Sequence, residues 1–296
     1  MRVSYVVLNG GLGNQLWQLA FAHKLARSKP VKVVQIAKKE EKDSHLYNGA
    51  RIISQIISSC SHQISFDKFD FASPFVRSKF LPESQWSKIL PRKKVDSRSL
   101  DWKQFQEIDL SGNVVHLGFY QSITYLRKQV PIVLEEFQAL LSSQANIIND
   151  ENKKSYAIIH LRGGDYYQER HKNTFGVLDR DYYLKIADEV LKYGFLKAYV
   201  VTDDYERAVE RLSGIDKLEL EYLGSVNEIA TMRVMSSAKI VGIANSSFSW
   251  WGGMLSKNNG GIMIAPYPWF KRQREIGGYS DLYESDIAQI QSSFLE

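Results

Sequence analysis

Short apolar runs alternate with helical patterns at both ends of the chain. Near the start, the run at residues 3–8 ends in a glycine-rich turn, and apolar residues then recur at helical spacing as far as Pro30. This predicts a strand, a helix and a second strand at 31–36. From residue 156 onward the alternation is regular and predicts strands at 156–161, 197–202, 218–222, 239–244 and 261–265. Such alternation is typical of a doubly wound parallel sheet.

Two stretches give weaker predictions. Between residues 46 and 130 there is no clear period, so we expect mixed helices and loops, with one strand at 114–119. Ser225 and Glu228 have capping-box spacing and predict the start of a helix that ends near Ser237. No run reaches 18 apolar residues, and no signal peptide is recognised. We therefore expect a cytoplasmic protein.

Composition narrows the classes of protein. The hydrophobic fraction of 44% and the charged fraction of 24% are ordinary for a soluble globular protein. The single cysteine, Cys60, excludes an internal disulfide and a multi-cysteine metal site. A net charge of +5 suits an anionic ligand, a nucleic acid or an acidic membrane surface. Since the basic residues are scattered among acids and match no binding motif, we predict no nucleic-acid partner.

Polar residues follow four of the predicted strands, at 10–15, 160–165, 202–204 and 245–247. In parallel α/β sheets, ligands bind beyond the carboxyl ends of the strands. We therefore expect these segments to converge on one crevice between two domains.

The first segment contains Gly11 and Gly13 between a strand and a helix, where backbone N–H groups can approach an anion. Leu16 replaces the third glycine of the dinucleotide fingerprint, and no acid stands about 20 residues on, so NAD binding is not predicted. The sequence also contains no Walker P-loop. A tight turn without any ligand remains the alternative.

The second segment places Arg162 at a strand end beside two glycines. The planar fork of an arginine suits a diphosphate, and glycines allow a ligand to come close. The alternative is a structural Arg162–Asp165 ion pair with His160 in the core.

The remaining segments also allow two interpretations. Asp203 can accept ribose hydroxyls or a base N–H, and the Asp203–Asp204 pair can equally cap the next helix. Asp179 and Asp181 imitate a metal-binding Asp-x-Asp motif, but their place at a helix start favours capping, so we predict no metal. Residues 245–253 offer hydroxyls and backbone N–H groups to phosphate, or form a tightly packed core helix.

These motifs, taken in order, resemble bacterial α-1,2-fucosyltransferases of glycosyltransferase family 11. The most specific match is Ala-Asn-Ser-Ser-Phe-Ser-Trp-Trp at 244–251. It is supported by Gly-Gly-Leu-Gly-Asn-Gln at 10–15, Gly-Phe-Tyr-Gln-Ser at 118–122, His-Leu-Arg-Gly-Gly-Asp-Tyr at 160–166, Asp-Asp at 203–204, Met-Ser-Ser at 235–237 and Ile-Ala-Pro at 264–266. The matches span nearly the whole chain.

The resemblance implies an α/β fold of the GT-B type, with two Rossmann-like domains facing across a cleft. We expect an acceptor-side domain over 1–150 and a donor domain over 151–296. The expected reaction is metal-independent, inverting transfer of L-fucose from GDP-fucose to O2 of a galactoside, in O-antigen or capsule synthesis. A lipid-linked acceptor and mild attraction to the inner membrane surface would fit the positive charge.

By analogy with the family, Arg162 holds the β-phosphate, and His160 and Asp203 fix the nucleotide. We expect Arg162 and Asp165 to be catalytic, with Asp165 or Glu169 as the general base. The full predicted donor site is Gly11, Gly13, Asn14, Gln15, His160, Arg162, Asp203, Asn245, Ser246 and Ser247.

One position departs from the family, which usually has a second arginine where this chain has Gly163. Arg170, Arg180, Arg272 or Arg274 could supply that charge. The change leaves two alternatives open: another GDP-linked 6-deoxysugar as donor, or a protein that binds GDP-sugars or glycans without turnover.

Overall fold

The computed structural model describes residues 3–37, 45–60, 63–70, 93–96, 114–148, 156–224, 226–272 and 281–295. The chain divides into two compact units, Met1–Phe137 and Gln138–Glu296. The domain boundary predicted after residue 150 lies outside the described residues. Each unit contains its own parallel sheet, so the predicted α/β class with two Rossmann-like domains is confirmed. The acceptor and donor roles of the two units remain predictions.

The first unit is built around a five-stranded sheet. Its elements are β1 (Ser4–Val7), α1 (Leu12–Ala26), β2 (Val31–Ala37), α2 (His45–Cys60), β3 (Ile64–Asp70), β4 (Lys93–Asp96), β5 (Val114–Leu117) and α3 (Ile123–Leu126), and the division falls within α4 (Val130–Ser142). The strand order is β3-β2-β1-β5-β4, and every pairing is parallel. The order changes direction between β1 and β5, so a ligand site of this unit is expected at their carboxyl ends.

The second unit carries a six-stranded sheet. Its elements are β6 (Ala157–Leu161), a 3₁₀ turn (Gly164–Tyr167), α5 (Glu169–Thr174), α6 (Arg180–Lys192), β7 (Lys197–Thr202), α7 (Tyr205–Leu212), β8 (Glu219–Tyr222), α8 (Glu228–Ser237), β9 (Ile240–Gly242), α9 (Ser247–Asn258), β10 (Ile262–Tyr267) and β11 (Ala288–Gln291). The order β11-β10-β9-β6-β7-β8, with all pairings parallel, is that of a dinucleotide-binding sheet. The direction of winding reverses between β6 and β9.

Most predicted elements of the second unit are confirmed, and the five predicted strands are β6 to β10. The capping prediction for α8 was wrong, because Asn227 is its N-cap and accepts a hydrogen bond from the Ala230 N–H at 2.9 Å. Ser225 lies outside the described residues. In the first unit, β5 ends at Leu117 instead of residue 119, because Gly118 turns the chain with φ 156°.

The core of the second unit explains its aromatic composition. All five residues of β6 are buried, as expected for a central parallel strand. Trp250 and Trp251 of α9 are fully buried, and the Trp250 indole N–H donates to the Leu282 carbonyl at 2.8 Å. The tryptophan pair therefore packs the core, as the structural alternative for this helix predicted. Among the described residues, no helix is long and apolar enough to cross a membrane.

Candidate functional site

The winding of the second sheet brings several predicted residues to one edge. Arg162 follows β6, Asp203 follows β7, and Ser246 and Ser247 lead from β9 into α9. Because these strands are parallel, their carboxyl ends lie on the same side of the sheet. The reversal between β6 and β9 is where this fold leaves a crevice for ligands.

Arg162 is fixed by two carboxylates. One terminal nitrogen of its guanidinium lies 2.5 Å from Asp165 Oδ1, and the other lies 2.5 Å from Asp203 Oδ2. Burial lowers the pKa of Arg162, but the negative charges of Asp203 and Asp165 raise it more, so this pKa lies above its usual value. The side chain stays charged and is about a quarter exposed. The Arg162–Asp165 ion pair that the sequence left as an alternative is thus present.

The loop after Arg162 packs tightly against the loop after β7. The Gly163 N–H donates to Asp203 Oδ1 at 2.7 Å. A Cβ atom at Gly163 would lie 2.5 Å from the Cβ of Asp204. Gly164 has φ 43°, and a Cβ there would lie 2.6 Å from Asp203 Oδ2. Both positions therefore favour glycine. Asp203 orients two groups, the loop through the Gly163 N–H and the guanidinium of Arg162.

Asp204, the other carboxylate of this pair, caps a helix. It is the N-cap of α7, and its side chain accepts the Arg207 N–H at 3.3 Å. Asp179 caps α6 in the same way, accepting the Tyr182 N–H at 3.2 Å. The capping interpretation of both segments is confirmed. Among the described residues, no group of three or more histidine, cysteine or acidic side chains is arranged to hold a metal ion.

His160 is buried on β6 and electrically neutral. Burial, with a smaller contribution from the Arg162 charge, lowers the pKa of His160 to about 3. Its Nδ1 is buried and has no hydrogen-bond partner in the described part of the chain. The ring lies 6.0 Å from the ring of Phe248, in the first turn of α9. His160 therefore brings no positive charge to this edge of the sheet.

Asn245 anchors the loop that carries Asp165. It is almost fully buried, and its amide nitrogen donates to the carbonyls of Phe175 (3.2 Å) and Gly176 (3.1 Å). The Asn245 carbonyl in turn accepts the hydroxyl of Tyr166 at 2.8 Å. The side chain that was predicted to bind the donor thus holds the segment after β6 onto the end of β9.

Ser246 is the N-cap of α9, but its side chain makes no capping hydrogen bond. Ser247 begins the helix and is partly exposed. The hydroxyl of Ser249 turns inward and donates to the Ala244 carbonyl at 3.0 Å. Of the three serines, Ser247 is the most exposed, whereas Ser246 and Ser249 are buried; the predicted binding role of Ser246 and Ser247 stays a prediction.

The residues predicted near the N-terminus gather at the equivalent edge of the first sheet. Gly11 is the N-cap of α1, and Gly13 lies in its first turn. The Gln15 side chain donates to the Gly10 carbonyl at 2.7 Å, and Asn14 Oδ1 accepts the Gln121 amide at 2.7 Å. This group belongs to the first unit, whereas the other predicted site residues belong to the second.

His171, on α5, lies beside the predicted site residue Asp165, and the sequence analysis did not identify it. Its Nδ1 lies 3.8 Å from Asp165 Oδ2. The ring packs edge-on against Phe175, with ring centres 5.3 Å apart. The sequence gives little indication of this residue, because it does not follow a strand. It is connected with Arg162 only through Asp165, which contacts both side chains.

The arginines suggested as substitutes for the missing charge lie in different places. The Arg272 N–H donates to the Thr174 carbonyl at 3.2 Å, which brings Arg272 to the end of α5. The Arg180 guanidinium packs against Gly214, just after α7. The Arg170 side chain and Arg274 lie outside the described residues. Of Arg180 and Arg272, whose side chains the structure describes, Arg272 is the one whose backbone lies next to the end of α5.

The family model and the similar proteins of known sequence all indicate a glycosyltransferase. The model of the family "Glycosyl transferase family 11" matches residues 3–287. An Escherichia coli alpha-1,2-colitosyltransferase is 28% identical over 291 residues, covering 92% of this chain and 94% of the relative. The E. coli O-antigen biosynthesis glycosyltransferase WbnK is 23% identical, with 90% and 94% covered.

The chain also has some similarity to solved structures. E. coli heptosyltransferase WaaC with ADP has a TM-score of 0.49 and 15% identity, covering 98% of this chain and 93% of that chain. Fucosyltransferase NodZ from Bradyrhizobium has a TM-score of 0.48 and 12% identity, with 86% and 92% covered.

Proposed function

We propose a function from one premise: the chain belongs to glycosyl transferase family 11 and is a glycosyltransferase. In our proposal it is an inverting enzyme that moves L-fucose from GDP-fucose to O2 of a galactoside in an α-1,2 linkage. The relative WbnK is named for O-antigen biosynthesis, which supports a role in bacterial surface polysaccharide synthesis. A lipid-linked glycan acceptor would fit the net charge of +5.

The observation that carries this proposal is the placement of Arg162. Its guanidinium is fixed by two carboxylates at the point where the second sheet reverses its winding. The first turn of α9 follows β9 at the same edge and adds the positive end of a helix dipole. Arginine and a helix N-terminus together are the donors that a leaving diphosphate needs. In this proposal the developing charge is stabilised without a metal.

The proposed reaction is a direct displacement at the anomeric carbon. A lone pair of the acceptor oxygen forms the new bond to C1, and the bond between C1 and the phosphate oxygen breaks with its electron pair on GDP. The acceptor loses its proton, so the products are the glycoside, GDP and one proton. Arg162 stabilises the negative charge that grows on the β-phosphate.

A second donor is favoured by one comparison. The relative that is 28% identical is named for transfer of colitose, a 3,6-dideoxyhexose that lacks the 3-hydroxyl of fucose. GDP-colitose is therefore our alternative donor. A site that binds the 3-hydroxyl would strongly reject the sugar that lacks it, whereas an apolar surface at that position would discriminate weakly.

The first test measures nucleotide binding by thermal shift. GDP and GDP-fucose are compared with UDP, ADP and CMP. A ligand at about 100 times its Kd stabilises the protein by about 2.7 kcal/mol, which is measurable. We expect stabilisation with the guanine nucleotides alone, and its loss in Arg162→Ala. Arg233→Ala is the matched control and should keep the stabilisation, because Arg233 lies on α8 and contacts Gln144 and Ser237.

Turnover then separates the enzyme from a binding protein. With GDP-fucose and a β-galactoside we expect transfer to O2, identified from the product linkage. Arg162→Ala should lower kcat by about 10²–10³, the usual effect of losing one such donor. Equal stabilisation by all the nucleotides would contradict the donor class. Guanine-specific binding without transfer of any GDP-linked deoxysugar would favour the binding protein.

A further inference from the structure

The segment between β6 and α6 contains a carboxylate that contacts two different groups. One oxygen of Asp165 lies 2.5 Å from the Arg162 guanidinium, and the other lies 3.8 Å from His171 Nδ1. Arg162, Asp165 and His171 therefore form a row along one edge of the sheet. The first member is positioned for the diphosphate, and the last is a side chain that can exchange a proton.

The His171 ring is held firmly but is not enclosed. Its Nδ1 is buried, yet a fifth of the side chain remains exposed, so the exposed part of the ring lies away from Asp165. Phe175 packs edge-on against the ring, and Tyr166 packs edge-on at 6.4 Å. Asn245 holds both neighbours in place through the Tyr166 hydroxyl and the Phe175 carbonyl. In an imidazole ring Nε2 points away from Nδ1, so Nε2 is the nitrogen that does not face Asp165 and that can accept a proton from a bound molecule.

We infer that His171 is the general base of the transfer reaction, which rests on the function proposed above. As the acceptor oxygen bonds to C1 and GDP departs with the bonding electrons, His171 Nε2 takes the proton of the acceptor hydroxyl. Asp165 contacts Nδ1 and stabilises the imidazolium that forms. The proton then passes to solvent. Such contacts are often long before substrates bind and shorten in the complex, which is consistent with the 3.8 Å separation.

The two acids considered from the sequence are less suited to this step. Asp165 already pairs with Arg162, and Glu169 at the start of α5 is exposed. In the described part of this segment, the other charged side chains are those of Arg162, Glu169, Lys172 and Asp179. The loop after β10 contacts this segment through the backbone of Lys271 and Arg272, and the Lys271 ammonium donates to the Leu295 carbonyl. The carboxylate of Asp165 is the charged group that faces the ring at Nδ1.

The test uses the full-length protein with GDP-fucose and a β-galactoside. His171→Gln should lower kcat by about 10²–10⁴, the range for a general base, and leave the GDP thermal shift at its wild-type value. The wild type should lose turnover on the acid side of its pH profile, as the ring is protonated, and His171→Gln should lack that limb. Added imidazole should partly restore His171→Ala. These last two effects would not follow from a purely structural role.

The matched control is His23→Gln. His23 pairs with Glu136 at 2.9 Å in the first unit, so this variant also removes a histidine–carboxylate contact, and it should keep wild-type turnover. Unchanged turnover in His171→Gln would overturn the assignment while leaving the proposed transferase intact. Loss of the acid limb in Glu169→Gln instead would also overturn it. A wild type that transfers no GDP-linked deoxysugar would overturn both proposals.

Discussion

The space around Gly163 leaves no room for a side chain. A Cβ atom there would lie 2.5 Å from the Cβ of Asp204, and neither atom belongs to a flexible chain end. We expect Gly163→Ala to lower the free energy of unfolding by about 1–3 kcal/mol, the usual cost of overpacking. Urea unfolding measures this change. Gly224→Ala is the control, because a Cβ at Gly224 meets nothing within 4 Å.

The same contact predicts the effect of restoring the family's arginine. Gly163→Arg would push the loop away from Asp204 and disturb the Gly163 N–H contact with Asp203. Because Asp203 also holds Arg162, we expect kcat to fall by about tenfold or more, as a small misplacement of a catalytic group is enough to cause. Steady-state kinetics with GDP-fucose checks this, and a gain in kcat would show that the missing charge limits the enzyme.

At the scale of elements, Asn245 joins the end of β9 to the loop after α5. Asn245→Ala leaves two carbonyl groups without their donor, at a cost of about 1–3 kcal/mol in stability. We expect kcat to fall, because this loop directly follows the segment that carries Asp165 and His171. GDP affinity should fall by less than tenfold. Isothermal titration with GDP and urea unfolding measure the two effects.

Asn227→Ala provides the comparison for this variant. It removes the cap of α8, costing about 0.5–2 kcal/mol, and should leave kcat unchanged. A loss of GDP affinity in Asn245→Ala as large as that in Arg162→Ala would instead support the donor-binding role predicted from the sequence.

Which elements could be predicted depended on how deeply they are buried. The strand β6 is wholly buried and reads as an unbroken apolar run, so its position was clear. In contrast, β4 has the sequence Lys-Lys-Val-Asp and lies at the edge of its sheet, where no apolar pattern is required. The strand β3, Ile64–Asp70, also carries charged positions and was missed.

The candidate site, like the fold, could be predicted from the sequence only in part. Residues that directly follow strands, such as Arg162 and Asp203, could be found because parallel strands place their carboxyl ends together. His171 and the anchoring role of Asn245 depend on how an irregular loop folds back. No periodicity of the chain encodes such contacts.

At the scale of the whole molecule, each unit has a buried histidine on a strand beside the reversal of its sheet. Burial lowers the pKa of His116 on β5 and of His160 on β6 to about 3, with Lys29 and Arg162 adding smaller effects. In the unfolded chain these rings have a pKa near 6.5. Below that value the unfolded state binds protons that the folded state excludes, so stability falls as the pH drops from about 6.5 toward 3.

Each histidine contributes a slope of up to about 1.4 kcal/mol per pH unit in this range. Urea unfolding at pH 7, 6 and 5 should show both units losing stability. His116→Gln should make the free energy of unfolding of the first unit depend less on pH, and His160→Gln should do the same for the second unit. This holds even if a variant is less stable than the wild type at pH 7. An unchanged slope in both variants would contradict the burial of neutral rings.

The tight contact between Gly163 and Asp204 also bears on how this chain can change by single mutations. A side chain at position 163 becomes acceptable only after position 204 has lost its Cβ or the loop has shifted. The effect of a mutation at one position thus depends on the residue already present at the other, which is epistasis with a steric cause. On an evolutionary path from this sequence to one with two adjacent arginines, we expect a change at residue 204 or in the loop to come first.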